Sequence, residues 1–184
     1  MTTPKPMSME YIVDDVNKCV YFAGSIFSNF YKSPVTLEAN KTVLTFLTAE
    51  HAYMYLKAKE FNDYKAMIEI MHCQGPRTAR NRGQKIIGFD TEHWEKVKVD
   101  RMTEVLFNKF KNNIELYVQL SRVANYTMVE ASTDLSWGCG LERHDPLIRD
   151  RKNWTGKNLL GIAYENAKKK LDKYFDGNFY LKQK

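Results

Sequence analysis

Apolar residues along this chain first recur at every second position and later at every third or fourth. Residues 11–13 and 19–22 read as short strands around a polar turn. Residues 36–38 and 42–47 are β-branched and apolar, with Ala39, Asn40 and Lys41 between them, which predicts a hairpin. From Thr48 the period becomes helical, with Thr48 as an N-cap and Glu50 in the first turn. A second helix is expected over 63–71, with Met67, Ile70 and Met71 inward. Gly75-Pro76 ends it and starts a third, since proline suits the first helical turn. Thr91 is expected to cap a long helix in which Trp94, Val97, Arg101, Met102, Val105, Phe107 and Phe110 recur at helical spacing. A shorter helix over 114–123 and a strand over 127–131 follow. Residues 132–156 read as a long loop, and such loops are often functional. The last helix is expected over 158–175, with a core stripe of Leu160, Ala163, Ala167, Leu171 and Tyr174. Lys168–Lys170 would complement the dipole in its last turns. The pattern predicts an α+β fold: a single compact, mostly helical domain over 9–176 with a small N-terminal β-hairpin or sheet. Residues 1–8 are expected to be disordered and 177–184 to form a C-terminal tail.

The first helix carries an anomaly. Glu50, Tyr53, Met54 and Lys57 share one face, because i, i+3, i+4 and i+7 align. An acid and an amine thus lie two turns apart with an aromatic between them. Two readings stand. The stripe is a solvated face with Ala49, Ala52 and Leu56 turned inward, or it is a site.

Composition narrows the classes. The chain has 184 residues, of which 43% are hydrophobic and 13% aromatic, enough for a real core. No run of about 18 apolar residues exists, which excludes a helical membrane span, and MTTPKPMSME is not an apolar leader. Three cysteines without a CxxC pair argue against a disulfide framework or zinc ribbon, and suit a reducing cytoplasm. The net charge of +6 and pI of about 9.1 favour anionic partners, nucleotides or nucleic acid. A solvated basic face is the alternative.

Five short elements occur in order: Phe27-Ser28-Asn29-Phe30, Thr48-Ala49-Glu50-His51, Trp94-Glu95-Lys96-Val97-Lys98, Asp134-Leu135-Ser136-Trp137-Gly138 and Asn158-Leu159-Leu160-Gly161. As FSNF, T-x-EH, W-x-x-VK, D-x-x-WG and N-x-LG, this set resembles the NADAR, or YbiA-like, family over about residues 21–175. The resemblance implies a compact α+β fold and an N-glycosidase that cleaves a ribose–nitrogen bond without a metal or other cofactor. The substrates it implies are ADP-ribose on guanine, including guanine in DNA, or ribosylamino-pyrimidine intermediates near riboflavin synthesis. Residues 141–156, LERHDPLIRDRKNWTG, depart from the family's commoner short, glycine-rich loop.

That chemistry would explain the odd helix. Breaking an N-glycosidic bond builds positive charge on the sugar. A carboxylate beside the anomeric carbon stabilises it and orients or deprotonates water. Glu50 is assigned this role and is expected to be ionised at pH 7 near the positive helix end. Lys57 matches the family's lysine and, given a pKa lowered by burial, could form a Schiff base with an opened ribose, so direct hydrolysis led by Glu50 and a covalent imine route through Lys57 compete. Asp134 is a third catalytic candidate, with an Asx turn as the alternative. The substrate-binding candidates are Ser28, Asn29, Phe30, Tyr53, Arg80, Trp94, Glu130, Trp137 and Gly138. Asn29 would hold a ribose hydroxyl or base edge, and Trp137 would stack on a base. Arg77, Arg80 and Arg82 form one basic set for phosphate. Arg143, His144, Arg149, Arg151, Lys152 and Lys157 form another, which Glu142, Asp145 and Asp150 would instead neutralise. His51 is expected to be a hydrogen-bonded core histidine, His93 and His144 solvated, and no cysteine is a convincing nucleophile. His72-Cys73 lacks a second ligand pair for a metal. The alternative to an enzyme is a non-catalytic ADP-ribose-binding module. The oligomeric state is left open.

Overall fold

The computed structural model describes residues 10–39 and 42–175. The expectations for 1–8, for 177–184 and for the hairpin turn at 40–41 lie outside them.

Two small sheets and six helices make up the described residues. Strand β1 (Ile12–Asp14) pairs antiparallel with β2 (Cys19–Phe22), and β2 pairs parallel with β5 (Thr127–Glu130), opposing Phe22 to Glu130. The parallel pair needs a crossover, which the rest of the fold supplies. Strands β3 (Lys32–Ala39) and β4 (Thr42–Thr48) form the hairpin. Helices α1 (Ala49–Glu60), α2 (Tyr64–Met71), α3 (Pro76–Gly83), α4 (Thr91–Lys111) and α5 (Ile114–Ser121) follow, and α6 (Leu159–Tyr174) closes the chain. This is the expected α+β, mostly helical architecture. Helix α4 packs against both α1 and α6, and α6 against β5.

Several helices turn differently from the expected stripes. Asp90, not Thr91, caps α4, accepting from the His93 amide at 3.1 Å. In α2, Ala66 and Ile70 are buried while Met71 is exposed. In α6, Tyr164 is fully buried and Tyr174 is not. Its hydroxyl donates to the Phe27 carbonyl at 2.5 Å, and its ring lies among Phe22, Phe27 and Phe110. Lys168 does not sit on the dipole end. It is buried and donates to the carbonyls of Ala124 (3.3 Å) and Tyr126 (2.6 Å).

The chief surprise in the core is Lys109, wholly buried on α4. Its Nζ donates to the carbonyls of Ile26 (2.7 Å) and Ser28 (3.0 Å). Burial lowers its pKa to about 7. The turn over residues 25–30 has few backbone partners of its own, so this amine serves as its donor. Replacing Lys109 with Met keeps the volume and strands the Ile26 carbonyl, while the Ser28 carbonyl keeps the Tyr31 amide at 3.2 Å. The expected loss is about 1–3 kcal/mol, read as a lower urea midpoint. An unchanged midpoint would show the amine to be dispensable.

Candidate active site

The site is built where β4 runs into α1 without a loop. Thr48 ends the strand with extended backbone (φ −148°, ψ 163°) and caps the helix. Its hydroxyl lies 2.8 Å from His51 Nδ1, and His51 Nε2 lies 3.2 Å from the Cys73 carbonyl. A carbonyl only accepts, so Nε2 carries the hydrogen. His51 is the expected core histidine. The Glu50 amide, one of the first-turn donors that a helix cannot satisfy itself, donates to the Asn29 carbonyl at 2.9 Å. The turn held by Lys109 is thereby docked on the helix start.

A cavity of about 460 Å³ opens at this junction. Ser28, Asn29 and Phe30 line it from the turn, and Glu50 and Tyr53 from α1. Arg80 of α3, Glu130 at the end of β5, and Asp134 and Trp137 of the following loop complete the predicted residues that reach it. Three carboxylates from three elements share one space. Arg80 Nη2 lies 3.8 Å from Asp134 Oδ2. The other Asp134 oxygen accepts from the amides of Ser136 and Trp137, both at 2.8 Å. One side chain thus both makes the Asx turn and lines the cavity. Trp137 meets the Tyr53 ring edge-on at 5.5 Å.

The electrostatics depart from expectation. Glu50 is buried, only 6% exposed, and burial raises its pKa to about 7 against an opposing pull from Arg80. Loss of hydration outweighs the helix dipole here, so Glu50 is only partly ionised at pH 7. Burial, then the Asp134 charge, raises Glu130 to about 8. Asn29 Oδ1, Tyr53 Oη and Glu130 Oε2 are buried without a partner among the described residues, and their residues line the cavity. Buried polar groups are rarely left so. Three together mark a place for a polar ligand.

Three predicted residues do not line this space. Lys57 is half-buried with its Nζ 3.0 Å from the Gly83 carbonyl, and it lies over the rings of Phe89 and Trp94. Trp94 packs behind Tyr53 at 5.5 Å. Gly138 is buried, and a Cβ there would come within 2.7 Å of the Ser132 carbonyl oxygen and 2.9 Å of that of Asp134, so it permits a close backbone approach. The basic residues of 141–156 turn to their own chain. Arg149 pairs with Asp14 at 3.5 Å, and Arg151 donates to the Thr127 hydroxyl at 2.9 Å. Asp145 and Asp150 cap two 3-10 turns instead of neutralising those arginines. Arg82 is occupied by Asp63 and Glu69. His93 pairs with Glu60 at 2.7 Å and is not simply solvated. Among the described residues, no group of three or more His, Cys, Asp or Glu could hold a metal ion.

The NADAR domain model matches residues 21–172. The chain belongs to the NADAR family. It is 31% identical over 159 residues to "N-glycosidase R617" of Acanthamoeba polyphaga mimivirus, covering 80% of this chain and 92% of that one. It is 32% identical over 146 residues to "N-glycosidase YbiA" of Shigella flexneri, covering 79% and 80%. "Protein irg-1" of Caenorhabditis elegans is 30% identical over 177 residues, covering 88% and 84%. The NMR structure of Escherichia coli YbiA matches with a TM-score of 0.67 over 95% of both chains at 24% identity, a likeness of fold.

The five NADAR elements now acquire physical jobs. The turn 27–30 supplies the Asn29 carbonyl and amide, and Thr48-Ala49-Glu50-His51 locks the helix start. From the long helix, Lys98 Nζ donates to Ser136 Oγ at 3.1 Å and so holds the Trp137 loop. Asn158 was legible only as part of a motif. Its left-handed backbone (φ 49°) aims the carboxamide at the open edge of β5. Oδ1 accepts from the Glu130 amide and Nδ2 donates to the Met128 carbonyl, both at 3.0 Å. The side chain thus imitates a further parallel strand. At Gly161 a Cβ would lie 2.2 Å from both the Met128 carbonyl oxygen and Asn158 Nδ2, which explains the glycine.

Burying two carboxyl groups costs stability in a defined pH window. An acid raised from 4.5 in the unfolded chain to about 7 or 8 in the fold leaves stability fully present below pH 4.5 and removes it as pH rises through the folded value. Glu50→Gln and Glu130→Gln are therefore each expected to stabilise the protein at pH 8, on the order of 3 kcal/mol. The gain should vanish at pH 4. Thermal melts across pH 4–9 check this, and a gain independent of pH would contradict it.

Proposed function

We propose that this protein is an N-glycosidase that hydrolyses the bond between a ribose anomeric carbon and a base nitrogen. Its substrate is ADP-ribose attached to guanine in nucleic acid. The observation that carries this reading is the buried Glu50 carboxyl beside unpartnered polar atoms and an aromatic wall in one cavity. Two relatives of about 30% identity are named N-glycosidases.

In this reading the base stacks on Trp137, and Asn29 Oδ1 and Tyr53 Oη meet ribose hydroxyls. The ionised fraction of Glu50 stabilises the cationic sugar and takes a proton from the attacking water. The low dielectric that raises its pKa also strengthens its hold on that charge. Arg80 faces the cavity and has only a long contact with Asp134, so it is free to take a phosphate. Arg77 lies exposed one turn away on the same helix. With the net charge of +6, these favour a polyanionic substrate over a free ribosylamino-pyrimidine.

Two routes were open from the sequence, and the position of Lys57 favours one. Burial lowers its pKa, which suits a nucleophile. The imine route nevertheless requires its amine to leave the Gly83 carbonyl and pass Met54, which lines the cavity. Direct hydrolysis led by Glu50 needs no such rearrangement.

The test is release of ADP-ribose from an oligonucleotide carrying ADP-ribosyl-guanine. Wild type is expected to turn over, with activity rising as pH passes through about 7 and Glu50 ionises. Glu50→Ala should lose about 100-fold or more, and Trp137→Ala should weaken binding by about 1–3 kcal/mol. Borohydride during turnover should trap no adduct. An adduct on Lys57 would establish the covalent route instead. Tight binding without release would leave a binding module.

A further inference from the structure

Resting on the N-glycosidase reading, we propose that Glu130 is the proton donor to the departing base. The cavity then selects ribosides whose nitrogen leaves only once protonated. The assignment begins with geometry. Glu130 stands at the last position of β5, held on one side by pairing with β2 and on the other by Asn158. Its Oε2 is buried, has no partner among the described residues, and belongs to a residue lining the cavity. Asp134 cannot serve equally well. One of its oxygens is filled by two amides and the other faces Arg80.

The surroundings separate the two glutamates. Glu50 feels the Arg80 cation, whereas Glu130 feels the Asp134 anion. The other titratable groups around Glu130 are Cys139 of the following loop and Tyr164 of α6, both made harder to ionise by burial first and by Glu130 to a smaller extent. Across the cavity stand Glu50, Tyr53 and Arg80. Two carboxyl groups in one space with opposite neighbours divide into a base and an acid. Burial then keeps the proton on Glu130 up to about pH 8.

The step balances. The bond between the anomeric carbon and nitrogen breaks, and its electron pair passes to the base. The Glu130 proton goes to the base nitrogen and leaves a carboxylate. Water adds to the anomeric carbon, and Glu50 takes the released proton. Solvent exchange returns one proton to Glu130 and removes one from Glu50.

The experiment uses Glu130→Gln, which keeps shape and neutrality and removes the transferable proton. Two substrates are compared: the ADP-ribosyl-guanine oligonucleotide and p-nitrophenyl β-D-ribofuranoside, whose leaving group departs as a stable anion. Loss on the oligonucleotide should reach about 100-fold or more, and on the nitrophenyl riboside at least tenfold less than that. The wild-type decline of kcat/KM above about pH 8 should disappear in the variant. Equal losses on both substrates, or a retained alkaline decline, would overturn the assignment and leave the glycosidase standing. If wild type cleaves only the oligonucleotide, the alkaline decline alone decides. If wild type cleaves neither, the glycosidase reading and this assignment fall together.

Discussion

Two carboxyl groups withheld from water in one cavity are the constraint around which this fold is arranged. Glu50 and Glu130 come from elements 80 residues apart, the start of α1 and the end of β5. Neither makes a side-chain hydrogen bond to the described residues that offsets its lost hydration. Their burial is unfavourable, so something else must hold them in place. Around Glu50 that is the Thr48 cap, the His51 bonds and the Asn29 carbonyl. Around Glu130 it is the parallel pairing with β2 and the carboxamide of Asn158. Each acid is fixed by backbone contacts, which leaves its side chain available to a ligand.

The same division recurs in the supporting shell. Lys109, Tyr164, Asn158 and Lys98 spend their polar atoms on backbone or loop groups that border the cavity. Asn29, Tyr53 and Glu130, which line it, each keep a buried atom without a partner among the described residues. Rigid backbone and unsatisfied side chains together describe a preorganised polar site. The apolar core, with Phe22, Phe27, Phe110 and Tyr164 in edge and tilted contacts, supplies the stability this arrangement costs.

Much of this was legible in the residues, and the gaps have physical causes. The change of period at Thr48 and the Gly75-Pro76 break depend on local backbone chemistry, and they located the elements. The five short motifs located the cavity, because each supplies a cap, a turn or a close approach that few residues can make. Lys57 lies outside the cavity lining, and helical spacing says which residues share a stripe and not what faces each end of it. The cavity meets the Glu50 end, while α3 and Phe89 cover the Lys57 end. Trp94 stands one layer behind the wall, and an aromatic there has the same sequence signature as one in the wall. The charge state of Glu50 was misjudged because the helix dipole is visible in the sequence and desolvation is not. Lys109 could not have been found, since nothing in its neighbours distinguishes a buried lysine from a surface one.

Desolvation holds these two acids protonated well above the ordinary range, and the opposite charges of Arg80 and Asp134 set them apart. Carboxyl carbon chemical shifts, followed by NMR through a pH titration of the free protein, read this directly, with Glu50→Gln and Glu130→Gln assigning the signals. The account predicts midpoints near 7 for Glu50 and near 8 for Glu130. Midpoints for both between about 4 and 5 would contradict it and would remove the division of labour between them.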